Sequence, residues 1–174
     1  FLREHGRFFG PETSTANRAM MGGMIGNNSC GSNSVVYGST REHLLSVNMI
    51  LADGEEVEFG PLTNEEYDAK VSGKTCTSEI EKNLYRTIDR ILKDPANREE
   101  ILKEFPKPGI TRRNTGYAID LLLRCEPFTP GGDPFNMCRL IAGSEGTLGF
   151  ITEARLNTVP LPPPHKALVC VHFN

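Results

Sequence analysis

From Leu44 to Ala52 apolar and polar residues alternate, which puts Leu45, Val47, Met49 and Leu51 on one face of an extended strand. Asp53-Gly54 follows, and Glu55 to Phe59 supplies Val57 and Phe59 for a return strand. An Asp-Gly pair between two such runs predicts a tight hairpin, because its turn needs backbone angles that glycine adopts without strain. The period then changes. Ile80, Leu84, Ile88, Ile91 and Leu92 recur at helical spacing, with Ser78 and Glu81 placed as a capping box. Asp94-Pro95 restarts a second helix, with Ile101, Leu102 and Phe105 as its buried face and Pro106 to Gly109 as its end. The Glu, Lys and Arg residues on these helices read as a solvated face.

The remaining pattern is more broken. Tyr117 to Leu123 is a short helical or extended run, and Glu126 to Asn136 is a turn-rich loop. Arg139 to Ala142 reads as a short buried strand, a glycine-rich stretch interrupts it, and Phe150 to Val159 alternates as another strand. Pro160 to Pro164 (PLPPP) is a stiff, extended connector of the kind found at domain boundaries. Ala167 to Asn174 reads as a strand that stops as the chain stops, and the chain starts without Met. The expectation is a piece of a longer protein. Together the elements predict an α+β fold, a small and mostly antiparallel sheet flanked by helices.

Composition narrows the function classes. The chain has 174 residues, 38% hydrophobic and 24% charged, which suits one globular domain. Its net charge of −3 and the lack of a basic stripe with interleaved aromatics argue against nucleic acid as a partner. No apolar run reaches the roughly 18 residues that a membrane helix needs. The opening FLREHGRFFG does not read as a signal peptide. Cys30, Cys76, Cys125, Cys138 and Cys170 are widely spaced and form no CxxC pair, so a zinc ribbon or local iron–sulfur site is not expected. Free thiols suit a reducing cytoplasm, with at most a peripheral place at the inner membrane. Asn27-Asn28-Ser29 matches the glycosylation sequon, which is short enough to arise by chance.

Candidate chemistry concentrates in two glycine-rich segments. The first runs from Gly22 to Gly38 with Asn27, Asn28, Ser29, Ser32, Asn33 and Ser34 between its glycines; the second is Gly143-Ser144-Glu145-Gly146-Thr147-Leu148-Gly149. Glycines let a backbone approach a ligand closely and bare its N–H groups to phosphates and carbonyl oxygens. A single glycine usually marks a turn or close packing; a cluster of this size asks for more. Neither segment is a GxGxxG fingerprint. Gly73-Lys74-Thr75 resembles the end of a Walker A loop, but Asp68 stands where the upstream glycine belongs, so nucleotide triphosphate hydrolysis is rejected.

Six motifs stand in a telling order: Pro11-Glu12-Thr13-Ser14-Thr15, MMGGMIGNNSCG from Met20 to Gly31, Tyr37-Gly38, LADGEEVEFG from Leu51 to Gly60, Asn114-Thr115-Gly116-Tyr117, and IAGSEGTLGFITEARL from Ile141 to Leu156. That order resembles the FAD-linked oxidases of the vanillyl-alcohol oxidase (PCMH) type, nearest to bacterial D-lactate, glycolate and D-2-hydroxyglutarate dehydrogenases. The helical insertion after the hairpin is similar to the large members that carry a fused iron–sulfur region. The resemblance implies FAD as cofactor, with an iron–sulfur cluster elsewhere in the intact protein. It implies oxidation of a small-molecule 2-hydroxy acid by hydride transfer to flavin N5, with electrons leaving to a further acceptor.

The same resemblance places residues. Pro11, Glu12, Thr13, Ser14 and Thr15 would lie along the flavin. Gly22, Gly23, Gly26, Asn27, Asn28, Ser29, Cys30 and Gly31 would reach the isoalloxazine and phosphate region, and Tyr37 and Gly38 would also contact the cofactor. Gly143, Ser144, Glu145, Gly146, Thr147, Leu148 and Gly149 would wrap the cofactor, with Ile151 close by. Residues 1–160 would form the second half of an FAD-binding domain, and 161–174 a connector and the start of a substrate-binding cap. The family's pyrophosphate loop would precede this stretch and its cap would follow, so no catalytic residue and no metal ligand is assigned. A covalent flavin link through Cys30 is conceivable; a buried or loop thiol is the plainer status. An FAD-binding scaffold without activity of its own, or a related flavoenzyme with another substrate, stay open as alternatives. His5, His43, His165 and His172 are isolated, and Arg41, Arg112 and Arg113 could meet phosphate or an acidic substrate or simply lie at the surface.

Overall fold

The computed structural model describes residues 1–110, 112, 113, 116–165, 167 and 169–173. After a short 3-10 turn at Leu2–His5, the elements are β1 (Arg7–Phe8), α1 (Met21–Gly26), α2 (Ser34–Tyr37), α3 (Thr40–His43), β2 (Leu44–Ile50), β3 (Glu56–Phe59), β4 (Pro61–Leu62) and α4 (Asn64–Ser72). They continue with α5 (Glu79–Lys93), α6 (Pro95–Glu104), α7 (Ile119–Leu123), β5 (Phe135–Asn136), α8 (Cys138–Ile141), β6 (Phe150–Leu156) and β7 (Val159–Pro160). The fold is α+β. Its main sheet has the order β3-β2-β6 with both pairings antiparallel, and two-stranded ribbons β1-β7 and β4-β5 flank it.

The hairpin forms as its sequence predicts. Leu51 N donates to Glu55 O, Gly54 adopts φ +85°, and Asp53 Oδ1 accepts from the Glu55 amide. Strand β2 departs from the simple alternation: Val47, Met49 and Leu51 are buried, whereas Leu45 is exposed and Leu44 points inward. The cause is a bulge. Leu44 pairs with Leu156 and Ser46 with Arg155, so Leu45 is one residue too many and the face switches there.

Helices α4 to α8 pack in sequence from the outer layer back onto β2. The buried stripe of α5 is Glu81, Tyr85, Ile88 and Leu92; Ile80 lies outside it and is exposed, while Leu84 and Ile91 are half-buried. Only half of the expected capping box exists. Ser78 Oγ accepts from Glu81 N, but the Glu81 carboxylate turns inward to Lys70 Nζ at 2.5 Å and to Thr77 N at 2.6 Å. In α6 Ile101 is buried and Leu102 is exposed. Residues Arg139 to Ala142 belong to a helical turn, not to a strand: Ile141 N and Ala142 N donate to Met137 O and Cys138 O. Met137, Cys138, Leu140, Ile141 and Ala142 are all buried, and a short run with no polar side has no period from which to tell helix from strand.

The core lies between the main sheet and α4–α5. Tyr67, Tyr85, Phe59, Phe128 and Phe135 form one aromatic cluster, with ring centroids from 4.6 Å (Tyr67 to Phe135) to 6.3 Å (Phe59 to Tyr85). Phe128 and Phe135 come from the turn-rich loop, which therefore serves as a core segment. Strand β6 stops at Leu156, two residues before a separate pairing of Val159 and Pro160 with Phe8 and Arg7. The residues described between Ala167 and Phe173 form no strand; Leu168 and Asn174, which complete the expected one, lie outside the described residues, as do Asn114 and Thr115.

Candidate functional site

The two glycine-rich segments meet. Helix α1 ends at Gly26, and the exposed carbonyls of its last turn receive the second segment: Gly143 N donates to Ile25 O and Glu145 N to Gly26 O, both at 2.9 Å. Asn28, next in the chain, is buried with φ +45°, an unusual angle for a non-glycine residue. Its side chain holds it there. Asn28 Oδ1 accepts from Ser39 Oγ and from Arg41 N, each at 2.9 Å, and its Nδ2 donates to Arg113 O at 3.4 Å. Ser29 is buried too; its amide donates to Met24 O, and its carbonyl accepts from both the amide and the hydroxyl of Thr40. Asn27 stays exposed, with Nδ2 donating to Ser29 Oγ.

The Pro11 to Thr15 stretch lies across this turn. A Cβ added at Gly31 would fall 1.5 Å from Glu12 O, so only glycine allows the two backbones to cross here. Asn33 Nδ2 donates to Glu12 Oε2 at 2.9 Å, and the hydroxyls of Thr13 and Thr15 stand 3.0 Å apart. Pro11 is buried and Ser14 exposed. In the second segment Ser144 is buried, Thr147 Oγ1 donates to Ser144 O at 2.6 Å, and the Tyr117 hydroxyl closes onto Thr147 Oγ1.

Five of the expected site residues take part in packing or in the sheet. Tyr37 packs edge-on to Phe8, its carbonyl accepts from His43 Nε2 at 2.7 Å, and Gly38 follows it beside Glu42. Ile151 pairs with Met49 in the sheet and is half-buried against the core, as is Leu148. Gly149 marks the entry to β6, close to Ile50 O and Met49. The surface that remains open is glycine-rich: around Gly22, Gly23 and Gly146 nothing lies within 4 Å of where a side chain would stand. Cys30 is half-buried, and Arg112 Nε approaches its Sγ at 3.4 Å.

Behind this surface lies a buried charge cluster, in which Arg41 and Arg113, candidates from the sequence, join Asp120 and Arg124, which are not. Arg113 donates twice to Asp120, at 2.5 and 2.6 Å, and Arg124 adds a longer contact at 3.4 Å. Arg41 is only 4% exposed, and burial pushes its guanidinium down to about 10, still a cation at neutral pH. Arg41, Arg113 and His43 are thus interior groups, not surface ones. The one hint in the sequence is Ser39 and Glu42, three apart immediately before a strand, which is the spacing of a capping box around Arg41. Among the described residues no group of three or more metal-binding side chains assembles, and no disulfide joins any two cysteines. No described helix is long and apolar enough to cross a membrane.

Comparison with known proteins agrees with this arrangement. Residues 1–60 match the FAD binding domain family. The chain is 35% identical over 173 residues to a D-2-hydroxyglutarate dehydrogenase of Haemophilus influenzae, covering 99% of this chain and 16% of that protein. It is 36% identical over 174 residues to the D-2-hydroxyglutarate dehydrogenase of Escherichia coli, covering 100% of this chain and 16% of the relative. The glycolate oxidase subunit GlcD of Bacillus subtilis is 24% identical over 173 residues, covering 99% of this chain and 23% of the subunit. The chain therefore spans only 16% of the length of the dehydrogenases it matches. Motif order, open glycine surface and end-to-end similarity converge: the chain is similar to the FAD-linked oxidases and dehydrogenases of the PCMH type.

Proposed function

We propose that this chain supplies one wall of the FAD site in a dehydrogenase that oxidises a 2-hydroxy acid, of the D-2-hydroxyglutarate, D-lactate or glycolate class. The observation that carries the reading is the docking of the turn at Gly143 to Gly146 onto the turn at Ile25 to Asn28 by two backbone bonds, with bare glycine surface left beside them. Such a surface fits a flat, polar cofactor: no side chain stands in the way at Gly22, Gly23 or Gly146, and small polar groups on Asn27, Thr13 and Thr15 border it. The D-2-hydroxyglutarate dehydrogenases support that substrate first among the three. When bound, FAD accepts the hydride equivalent from the hydroxyl-bearing carbon and passes electrons to a further acceptor.

What the protein's own residues contribute is orientation. Pro11 to Thr15 lie along the site, 22–31 and 143–149 hold it from two sides, and Tyr37, Gly38 and Ile151 act from behind by packing. Residues 1–160 are the second half of the FAD-binding domain, and 161–174 lead into the cap that selects the acid. An iron–sulfur region elsewhere in the longer protein would take the electrons onward. Five cysteines without a disulfide among the described residues suit the reducing cytoplasm.

The test is a visible absorption spectrum after incubation with FAD and desalting, on the longer protein and on this chain. Flavin bands at roughly 370 and 450 nm, a property of the cofactor itself, are expected on the longer protein. Bands kept by the 174-residue chain as well mean that the two turns suffice. A colourless chain beside a yellow parent makes it a scaffold half, and a colourless parent refutes the flavin reading.

A further inference from the structure

We propose that Arg41 is the positioning residue of this site, the latch that keeps the two glycine turns in register; its bearing on the cofactor rests on the flavin reading above. The geometry is a closed circuit. Arg41 N donates to Asn28 Oδ1 at 2.9 Å, while Arg41 Nη2 donates to Ala142 O at 2.5 Å and to Gly116 O at 2.7 Å. Ala142 leads directly into Gly143, whose amide returns to Ile25, three residues before Asn28. One residue thus joins three loops that are far apart in sequence, its amide holding Asn28 and its guanidinium holding Ala142 and Gly116.

Two observations separate a latch from ordinary packing. The first is that Arg41 Nε and Nη1 are buried with no hydrogen-bond partner among the described residues. A buried cation with idle donors is unfavourable, and a side chain chosen for packing alone would be apolar. The second is Gly143, at φ +92°, where an added Cβ would stand 2.7 Å from Arg41 Nη2 and 2.9 Å from Gly116 O. The turn is shaped around the guanidinium, and lysine, with a single ammonium on a flexible stem, does not reproduce the planar fork.

The test uses the full chain and three variants, Arg41→Met, Arg41→Lys and Gly143→Ala. Amide exchange by NMR reads the latch without any flavin, and FAD titration by fluorescence reads its consequence. In Arg41→Met the protection of the Gly143 and Glu145 amides is expected to fall on the order of tenfold or more, the scale of one lost charge-assisted bond, while α5 amides keep theirs. FAD affinity should fall by about the same factor, with Arg41→Lys restoring part of both. Gly143→Ala, which displaces the guanidinium without removing any charge, should copy Arg41→Met; it also decides the matter if Arg41→Met does not fold. Unchanged protection at Gly143 and Glu145 overturns the proposal, and so does an equal loss in α5, which marks a general structural role. If the wild-type chain binds no FAD, the FAD arm is read on the longer protein, where a colourless parent alone refutes the flavin reading, and the exchange data still decide whether Arg41 holds the turns.

Discussion

Two halves of this molecule are built on opposite principles. The region from Thr63 to Phe105 is a helical layer held by a stripe of Tyr67, Tyr85, Ile88, Leu92 and Ile101 and by capped helix starts at Thr63, Ser78 and Asp94. The region around the glycine turns is held by polar groups. Of the eleven polar or charged side chains buried among the described residues, all but Glu81 lie in it, from Asn28 to Ser144. Apolar burial is non-directional and tolerates repacking, whereas a buried hydrogen-bond network fixes one geometry and is costly when half-satisfied. A ligand wall needs the second property; a scaffold needs only the first.

The sharpest way to break the contrast is at Asp120, which is 1% exposed and anchors Arg113 twice. Asp120→Ala leaves the buried Arg113 and the half-buried Arg124 without their carboxylate and should lower unfolding free energy by about 3–5 kcal/mol, read by urea denaturation. Leu92→Ala, fully buried on α5, should cost about 2–4 kcal/mol through lost burial and a cavity. Only the first should also disturb FAD binding, because only the first touches the loop that Asn28 and Arg41 hold. If Leu92→Ala weakens FAD binding as much as Asp120→Ala at equal folded fraction, the two halves are not separable.

Much of the helical half was legible in the sequence, and much of the site was not. Hairpin, caps and the two long helices follow from Asp53-Gly54, Ser78 and Asp94-Pro95, since turn chemistry and period are local. The errors there were of phase: Leu45 fell out of its face at a bulge set by Leu156 and Arg155, and Ile80 gave way to Glu81, whose burial depends on Lys70 and Thr77. In the other half the motifs located the glycine turns, and their docking was implied only by the family. Arg41 reads from the sequence as a phosphate-binding or surface arginine, and its linking role stays hidden because its partners are the carbonyls of Ala142 and Gly116, and a backbone carbonyl leaves no mark in a sequence.

Alkali should sharpen the contrast further. Burial pushes the Cys138 thiol from 9.0 up to about 12 and raises the phenols of Tyr67 and Tyr85, all three in the core beneath the helical layer. In the unfolded chain these groups release protons from about pH 9 to 10 upward, whereas the folded chain retains them. The unfolded state then binds fewer protons, so this stability is complete below pH 9 and is lost as pH rises toward 12. Each group should contribute a fall of at most about 1.4 kcal/mol per pH unit within that window, measurable by urea melts at stepped pH. Cys138 should also resist thiol reagents at pH 8 while exposed Cys170 reacts. Flat stability from pH 9 to 11 would count against the buried phenols and thiol.

The smallest effect gives the cleanest comparison, because one chemical device occurs in both halves. Thr63 and Ser39 each open a helix with a glutamate three residues on, Glu66 and Glu42, and each glutamate accepts from the amide of the residue it caps. Thr63 is exposed and bonds only within its own box. Ser39 is buried, and its hydroxyl stands 2.9 Å from Asn28 Oδ1 as well as 2.6 Å from Glu42. Thr63→Ala should therefore lower stability by about 1 kcal/mol and leave FAD binding unchanged. Ser39→Ala should lower it by about 1–2 kcal/mol and, by loosening Asn28 from φ +45°, weaken FAD binding several-fold. Should the two alanines prove equal in both readouts, the box before β2 is only a helix cap, and the site's rigidity must come from Arg41 and Asp120 alone.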